Sequence, residues 1–146
     1  LLLKTENHLR MMCRQQYKEK SAIAMSVPGI GPITAMLFLL EVGDVLRFKN
    51  FDALNDFVGL CPDTHSSGNK EQSTGITKRH HKQLRSALIE AAWQSIRTDP
   101  AMMESYEALT KRMKSTQAII RIARKLLRRL RAVLISGIPY QKGVVE

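Results

Sequence analysis

Acidic and aromatic residues are scarce in this 146-residue chain. Phe, Trp and Tyr make up 5% of it, and 13 Asp and Glu stand against 23 Lys and Arg, a formal net charge of +10. So few aromatic rings leave little surface on which bases could stack. Cysteine is scarce too: Cys13 and Cys61 are the only two, too few for a disulfide framework, so reduced thiols are the simplest expectation. No apolar run reaches the roughly 18 residues of a membrane span. Leu1 to Leu3 are followed at once by Lys4, Glu6 and Arg10, which is not the pattern of a targeting segment. The reading is a soluble protein with no membrane partner. What remains is ordinary for a globular fold, with 44% hydrophobic and 25% charged residues, in a length suited to one domain with one core.

The excess charge is concentrated. Between Ser67 and Arg131 there are fifteen Lys and Arg and five acidic residues, a net +10, so the remainder of the chain is neutral. A polyanion contact, if the chain makes one, belongs to that basic stretch, and nucleic acid is the leading partner.

Hydrophobic spacing predicts helices throughout. Leu2, Leu9, Met12 and Ile23 recur at helical intervals, with no capping residue ahead of Leu1, as if the chain continued a helix begun further upstream. Val27-Pro-Gly-Ile-Gly-Pro then predicts a tight turn in which Gly29 and Gly31 permit positive φ and Pro32 opens a second helix that sets Ala35 against the first. This is the outline of a helix-hairpin-helix motif, whose small residues leave backbone N–H groups free to meet a phosphate. Asn50 is a fitting N-cap for a helix carrying Phe51, Leu54, Phe57 and Val58, stopped by Gly59. Thr77 is expected to cap a broad-faced core helix bearing Leu84, Leu88, Ala91 and Ser95, with Ile89, Ala92, Trp93 and Ile96 beside them. Asp99-Pro100 opens the next, with Met102, Met103 and Met113 as core filler. Thr116 starts the last, where Ile119, Ile122, Leu126, Leu130 and Val133 form one side, Arg121, Arg124, Lys125, Arg128 and Arg131 the other, and Gly137 and Pro139 the end. The fold class is all-α, a compact helical domain with no strand.

Two features point to chemistry. From Leu60 to Ile76 periodicity disappears into a polar, Gly-punctuated loop carrying Ser66 and Ser67, long enough to suggest function. Directly after it Lys78, Arg79, Lys82 and Arg85 crowd the start of a helix, the end where the macrodipole disfavours cations by about 0.3 to 1 kcal/mol each. That arrangement is tolerable where an anion binds, and phosphate is the natural one. A serine oxygen beside a cationic cradle can attack a phosphoryl group whose charge the cradle stabilises. Cys61, His65, His80 and His81 lack the paired spacing of a zinc site, and no metal is expected in this chain.

The ordered series Val27-Pro-Gly-Ile-Gly-Pro, Glu41-Val-Gly-Asp with Arg47-Phe48, Gly59-Leu-Cys-Pro62, Ser66-Ser-Gly-Asn-Lys70, Gly75-Ile-Thr-Lys-Arg79, Leu84-Arg85 and Glu90-Ala-Ala-Trp93 resembles the C-terminal domain of the insertion-sequence transposases of the IS-one-ten family. The likeness implies a serine-type DNA recombinase, guided by a bridge RNA that pairs with donor and target DNA. It implies Ser67, the serine directly before Gly68, as nucleophile, with Ser66 the neighbouring alternative. Lys78, Arg79 and Arg85 become the phosphate-facing residues; Lys70, Lys82, the hairpin Gly29 and Gly31 and the basic face of the last helix (Arg121, Arg124, Lys125, Arg128 and Arg131) are expected to add further nucleic-acid contacts. The sequence departs from the family at His80-His81, where a Gly and a small residue are common.

The resemblance further implies an RNase H-like acidic domain upstream, holding Mg²⁺ that this chain does not, and joined through a coiled coil of which residues 1–25 would be the end. Residues 26–140 would form the transposase C-terminal helical domain and 141–146 a tail. DNA, guide RNA and further copies of the full-length enzyme would be the partners, in a bacterial cytoplasm at the nucleoid. The alternative function is a nucleic-acid-binding helical module without chemistry of its own.

Overall fold

The computed structural model describes residues 2–61 and 81–142. Within them lie α1 (Leu2–Gln16), α2 (Lys18–Met25), α3 (Pro32–Val42), a 3-10 turn (Val45–Arg47), α4 (Phe51–Val58), α5 (Lys82–Thr98), α6 (Pro100–Thr110) and α7 (Ser115–Ser136), and no strand. The domain is all-α, as the periodicity predicts.

Most boundaries follow local chemistry. Asn50 Oδ1 accepts from the Ala53 N–H at 2.9 Å and so caps α4, while Asp99 Oδ1 accepts from Ala101 N–H at 3.1 Å ahead of Pro100, the first residue of α6. Such caps each contribute about 1 kcal/mol. Gly59 and Gly137 close α4 and α7 in left-handed backbone, where their places in the sequence predict the stops.

The centre of the core is α7. It buries Ala118, Ile119, Ile122, Ala123, Leu126, Leu127, Leu130 and Val133, against α5 with Leu84, Leu88, Ala91, Ala92 and Ile96. Removing each large apolar side chain from water contributes roughly 1.5 to 3 kcal/mol. Helix α6 packs on both α5 and α7; α2 packs on α3 and α7, and α3 on α5. The turn from α2 to α3 lies so close to α5 that a Cβ on Gly29, φ +96°, would stand 2.3 Å from the Ala91 carbonyl oxygen. Only glycine fits both that backbone and that gap.

Several expectations are corrected. The first helical segment is two helices, because Tyr17 leaves helical geometry at φ −123°, ψ 28°; the break lets α2 turn its Ser21 and Ala24 into the core. Gly31 does not use positive φ: it is the N-cap position of α3 at φ −94°. Helix α7 begins at Ser115 rather than Thr116. Met102 is fully buried, but Met103 is exposed and Met113 half-buried, so only the first fills the core. Trp93, 36% exposed, lies at the rim edge-on to Tyr106, ring centroids 5.8 Å apart. The segment from Pro62 to His80, Thr77 included, lies outside the described residues; the helix bearing Leu84 and Leu88 begins at Lys82 with His81 in the N-cap position, so Thr77 does not cap it.

Candidate nucleic-acid interface

At the roughly 100° per residue of an α-helix, Arg121, Arg124, Lys125, Arg128 and Arg131 share an arc of about 120° on α7, opposite its buried stripe. Three of these, Arg121, Lys125 and Arg128, are exposed, while Arg124 and Arg131 are half-buried. The face is not wholly solvated: the Nε atoms of Arg124 and Arg131 are buried and have no hydrogen-bond partner. The Arg128 guanidinium sits 4.1 Å from the Phe51 ring centroid, a stacking contribution of about 0.5 to 1 kcal/mol at an exposed site. Lys125 Nζ donates to Ser105 Oγ on α6 at 2.6 Å.

The neighbouring Arg129 does a different job. It donates to Asp99 Oδ2 at 2.6 Å, and the Tyr140 hydroxyl donates to the same oxygen at 3.0 Å. Tyr140 N–H in turn donates to Ser26 Oγ at 2.8 Å, so the segment after α7 is tied to the end of α2. Burial pushes the Asp99 carboxyl up, but the hydrogen bonds from Arg129, Ala101 N–H and Tyr140 and the Arg129 charge outweigh it and hold the group below the usual carboxylate range. Burial and the hydrogen bond to Asp99 push the Tyr140 hydroxyl the other way. Sequence reasoning identifies Asp99 only as a cap. Its chain-distant partners, 30 and 41 residues on, leave no local signal.

A second cationic group lies at the start of α5. Lys82 and Arg85 occupy its first turn, which contains no acid, so the unfavourable dipole arrangement read from the sequence stands for these two. Arg85 rests beside Gly59: a Cβ there would meet its Cδ at 3.7 Å. Arg124 of α7 lies close enough to Cys61 for their charges to couple. Burial first, then the Arg121 and Arg128 charges, hold the Arg124 guanidinium below the ordinary arginine range. One cationic side chain from α5 thus lies beside Gly59 and one from α7 lies within charge-coupling range of Cys61, the last described residue before Pro62.

On the other side of that segment His81 is held by an aromatic column. Its ring lies 3.9 Å from the Phe57 centroid, its Nδ1 is 3.3 Å from Glu41 Oε2, and Phe57 lies 5.0 Å from Phe48. Arg47 covers both phenyl rings at 4.5 and 5.0 Å and donates from Nε to the Val42 carbonyl at 2.7 Å. Glu41, Arg47 and Phe48, singled out in the sequence as motif residues, therefore fix one end of the segment. The thiol of Cys61 is exposed yet pushed up to about 11, by burial first and then by its hydrogen bond to Asp56 and that carboxylate's charge.

Of the residues singled out for nucleic-acid contact, the structure brings Arg121, Arg124, Lys125 and Arg128 together and sets Arg85 beside Gly59. Ser66, Ser67, Lys70, Lys78 and Arg79 lie outside the described residues. Gly29 is turned against α5 rather than outward, which gives it a packing role. Gly31 has open space around its α-carbon. The hairpin meets α5 at Ala91 and Ser95, about 14 to 20 Å along the helix from Lys82, so the two do not form one site. Among the described residues no group of three or more His, Cys, Asp and Glu could hold a metal ion, and no helix is long and apolar enough to cross a membrane.

Comparison with known proteins gives the same direction. The model of the family described as "Transposase IS116/IS110/IS902 family" matches residues 21–107. The "Insertion element IS110 uncharacterized 43.6 kDa protein" of Streptomyces coelicolor is 34% identical over 83% of this chain and 30% of its own length. The "Pilin gene-inverting protein" of Moraxella bovis is 32% identical over 92% of this chain and 42% of its own. The "Transposase for insertion sequence element IS1111A" of Coxiella burnetii is 46% identical over 46% of this chain and 18% of its own. No solved structure matches. The chain spans less than half the length of these curated relatives. It belongs to the IS116/IS110/IS902 family of transposases.

Proposed function

We propose that this chain is the serine-bearing, DNA-gripping domain of a transposase. In this reading the Ser67 hydroxyl attacks a DNA phosphodiester. Its proton passes to a base, the Ser67 Oγ–P bond forms, and one P–O ester bond breaks to release a sugar hydroxyl. The phosphoserine diester is later resolved by a second sugar hydroxyl, which completes strand exchange and frees the serine. The family match and the two relatives named for transposition or gene inversion support DNA as substrate.

The observation that carries the proposal is that Arg85 lies beside Gly59 and Arg124 within charge-coupling range of Cys61, the residues from which the serine-bearing segment departs. Cations there can stabilise charge gathering on the attacked phosphoryl group. Lys82 lies at the opposite attachment, next to the clamped His81. The basic face of α7 and the open N-terminus of α3 at Gly31 extend the DNA contact.

Catalysis requires more than this chain. Mg²⁺ belongs, in this proposal, to an RNase H-like acidic domain upstream, and target choice to a guide RNA; the full-length enzyme works as an oligomer. A gel assay with supercoiled and short duplex DNA tests this. The 146-residue chain should bind without cutting, and cleavage should appear when the acidic domain, Mg²⁺ and guide RNA are supplied. Serine-linked cleavage by the chain alone would contradict the two-domain reading.

A further inference from the structure

We propose that the cleft between α6 and α7 is an oxyanion site that takes a backbone phosphate of the bound nucleic acid, held by Arg121, Arg124, Lys125 and Arg128 with the Ser105 hydroxyl. The inference rests on the DNA-binding reading and deepens it, by naming one point of attachment within the basic face.

The cleft has a volume of about 440 Å³, and besides these five residues only Ala108 and Leu109 line it. Every polar side chain in the lining is a donor, and no carboxylate is among them. Because Lys125 donates to Ser105 Oγ, the hydroxyl hydrogen of Ser105 remains available to a ligand. A site composed of donors suits a ligand composed of acceptors, and a phosphate group presents several anionic oxygens at one centre.

Two of the cations are already positioned, Arg128 on the Phe51 ring and Lys125 on Ser105, so less freedom is lost when a ligand arrives. Arg124 supplies the driving force. Its Nε is buried without an acceptor, a costly state for a donor, and the charges of Arg121 and Arg128 crowd it further. A phosphate in the cleft neutralises that crowding, and it offers the guanidinium anionic acceptors that the protein does not.

A polymer of phosphates is favoured over a lone anion by a repeat of the same feature. Arg131 lies seven residues beyond Arg124, about 10 Å along the helix, and its Nε is likewise buried and unpartnered. A ligand that carries a row of anionic groups can reach both arginines, where a lone anion meets only one.

The experiment follows the arginine Nε–Hε signals of the isotope-labelled chain by NMR, with Arg124 assigned by the signal that disappears in Arg124→Gln. Pyrophosphate, a short DNA duplex and a poly-glutamate peptide are titrated at matched ionic strength. Pyrophosphate and duplex should each shift the Arg124 signal saturably and compete for it. Arg124→Gln should weaken duplex binding on the order of tenfold, the scale of one charge-assisted hydrogen bond. Arg121→Gln, at an exposed position that cannot unfold the core, should weaken it in the same direction. Tight duplex binding that leaves Arg124 unmoved and both variants unaffected overturns the site while the DNA-binding reading survives. A shift with pyrophosphate and no binding of duplex anywhere on the chain overturns the nucleic-acid assignment and the DNA-binding reading with it. Stronger competition by the peptide overturns it in favour of an acidic protein partner.

Discussion

Gly29 and Ala91 are in such close register that one added carbon on the first would sit 2.3 Å from the carbonyl oxygen of the second. Two residues later in the same turn, Gly31 has nothing within 4 Å of that position. The pair of glycines, alike in sequence, therefore separates into one residue that holds the fold and one available to a ligand.

Gly29→Ala should accordingly destabilise the domain by roughly 2 kcal/mol or more, since it adds both a clash and a strained positive φ. Gly31→Ala, at an ordinary φ, should change stability by less than about 1 kcal/mol. Denaturant unfolding measures both. Equal destabilisation of the two would show that the turn does not approach α5 as described. A well-folded Gly31→Ala with weakened duplex binding would place DNA backbone at the start of α3.

The Asp99 network makes stability depend on pH. A carboxyl held below its ordinary range in the folded state contributes stability above its unfolded pKa, and that contribution disappears as pH falls through the folded value. Between about pH 5 and pH 2 the native chain should lose more stability than Asp99→Asn, which keeps the shape and removes the charge. At pH 7 the variant should be less stable by about 1 to 3 kcal/mol. Parallel acid limbs for the two proteins would remove Asp99 as the source of the pH dependence.

Cys61 should be slow to react despite its exposure. With its thiol pushed up to about 11 from 9.0, the thiolate fraction near pH 8 falls roughly a hundredfold. Asp56→Asn removes a carboxylate that raises the value, so alkylation by iodoacetamide should accelerate. Unchanged kinetics in that variant would mean that burial alone protects the sulfur.

Binding to duplex DNA should weaken steeply with salt, and removing cations should flatten that dependence. Arg121→Gln with Lys125→Gln, both exposed, should reduce the log-log slope by roughly 0.9 for each phosphate that is no longer neutralised. These positions suit the test better than Arg124 and Arg131, whose half-buried stems contribute packing. An unchanged slope moves the DNA to another face.

The helical architecture is readable because apolar spacing and caps act over a few residues. Asn50, Asp99, Pro100 and Gly137 each mark a boundary through chemistry contained in one turn of chain. The stripe of α7 is legible for the same reason, since Ile119, Ile122, Leu126, Leu130 and Val133 are all buried. What is not legible depends on pairs far apart in sequence. Helical spacing sets Arg129 apart from the basic arc that holds Arg128, but nothing near it names its partner, Asp99, just as nothing near Arg128 names Phe51. The kink at Tyr17 likewise has no Gly or Pro to announce it. The motif residues Glu41, Arg47 and Phe48 are visible as a pattern, but their clamp on His81 depends on Phe57 from a different helix.

The most direct test is covalent capture. A full-length transposase carrying this sequence is incubated with radiolabelled donor DNA, guide RNA and Mg²⁺, then denatured and assayed for protein-linked DNA. The native enzyme should yield an adduct that mass spectrometry maps to Ser67. Ser67→Ala should abolish the adduct and strand exchange while binding stays near normal, with Ser66→Ala milder. An adduct formed at normal level by Ser67→Ala would contradict the assignment of this chain as the serine-bearing half of the enzyme through Ser67.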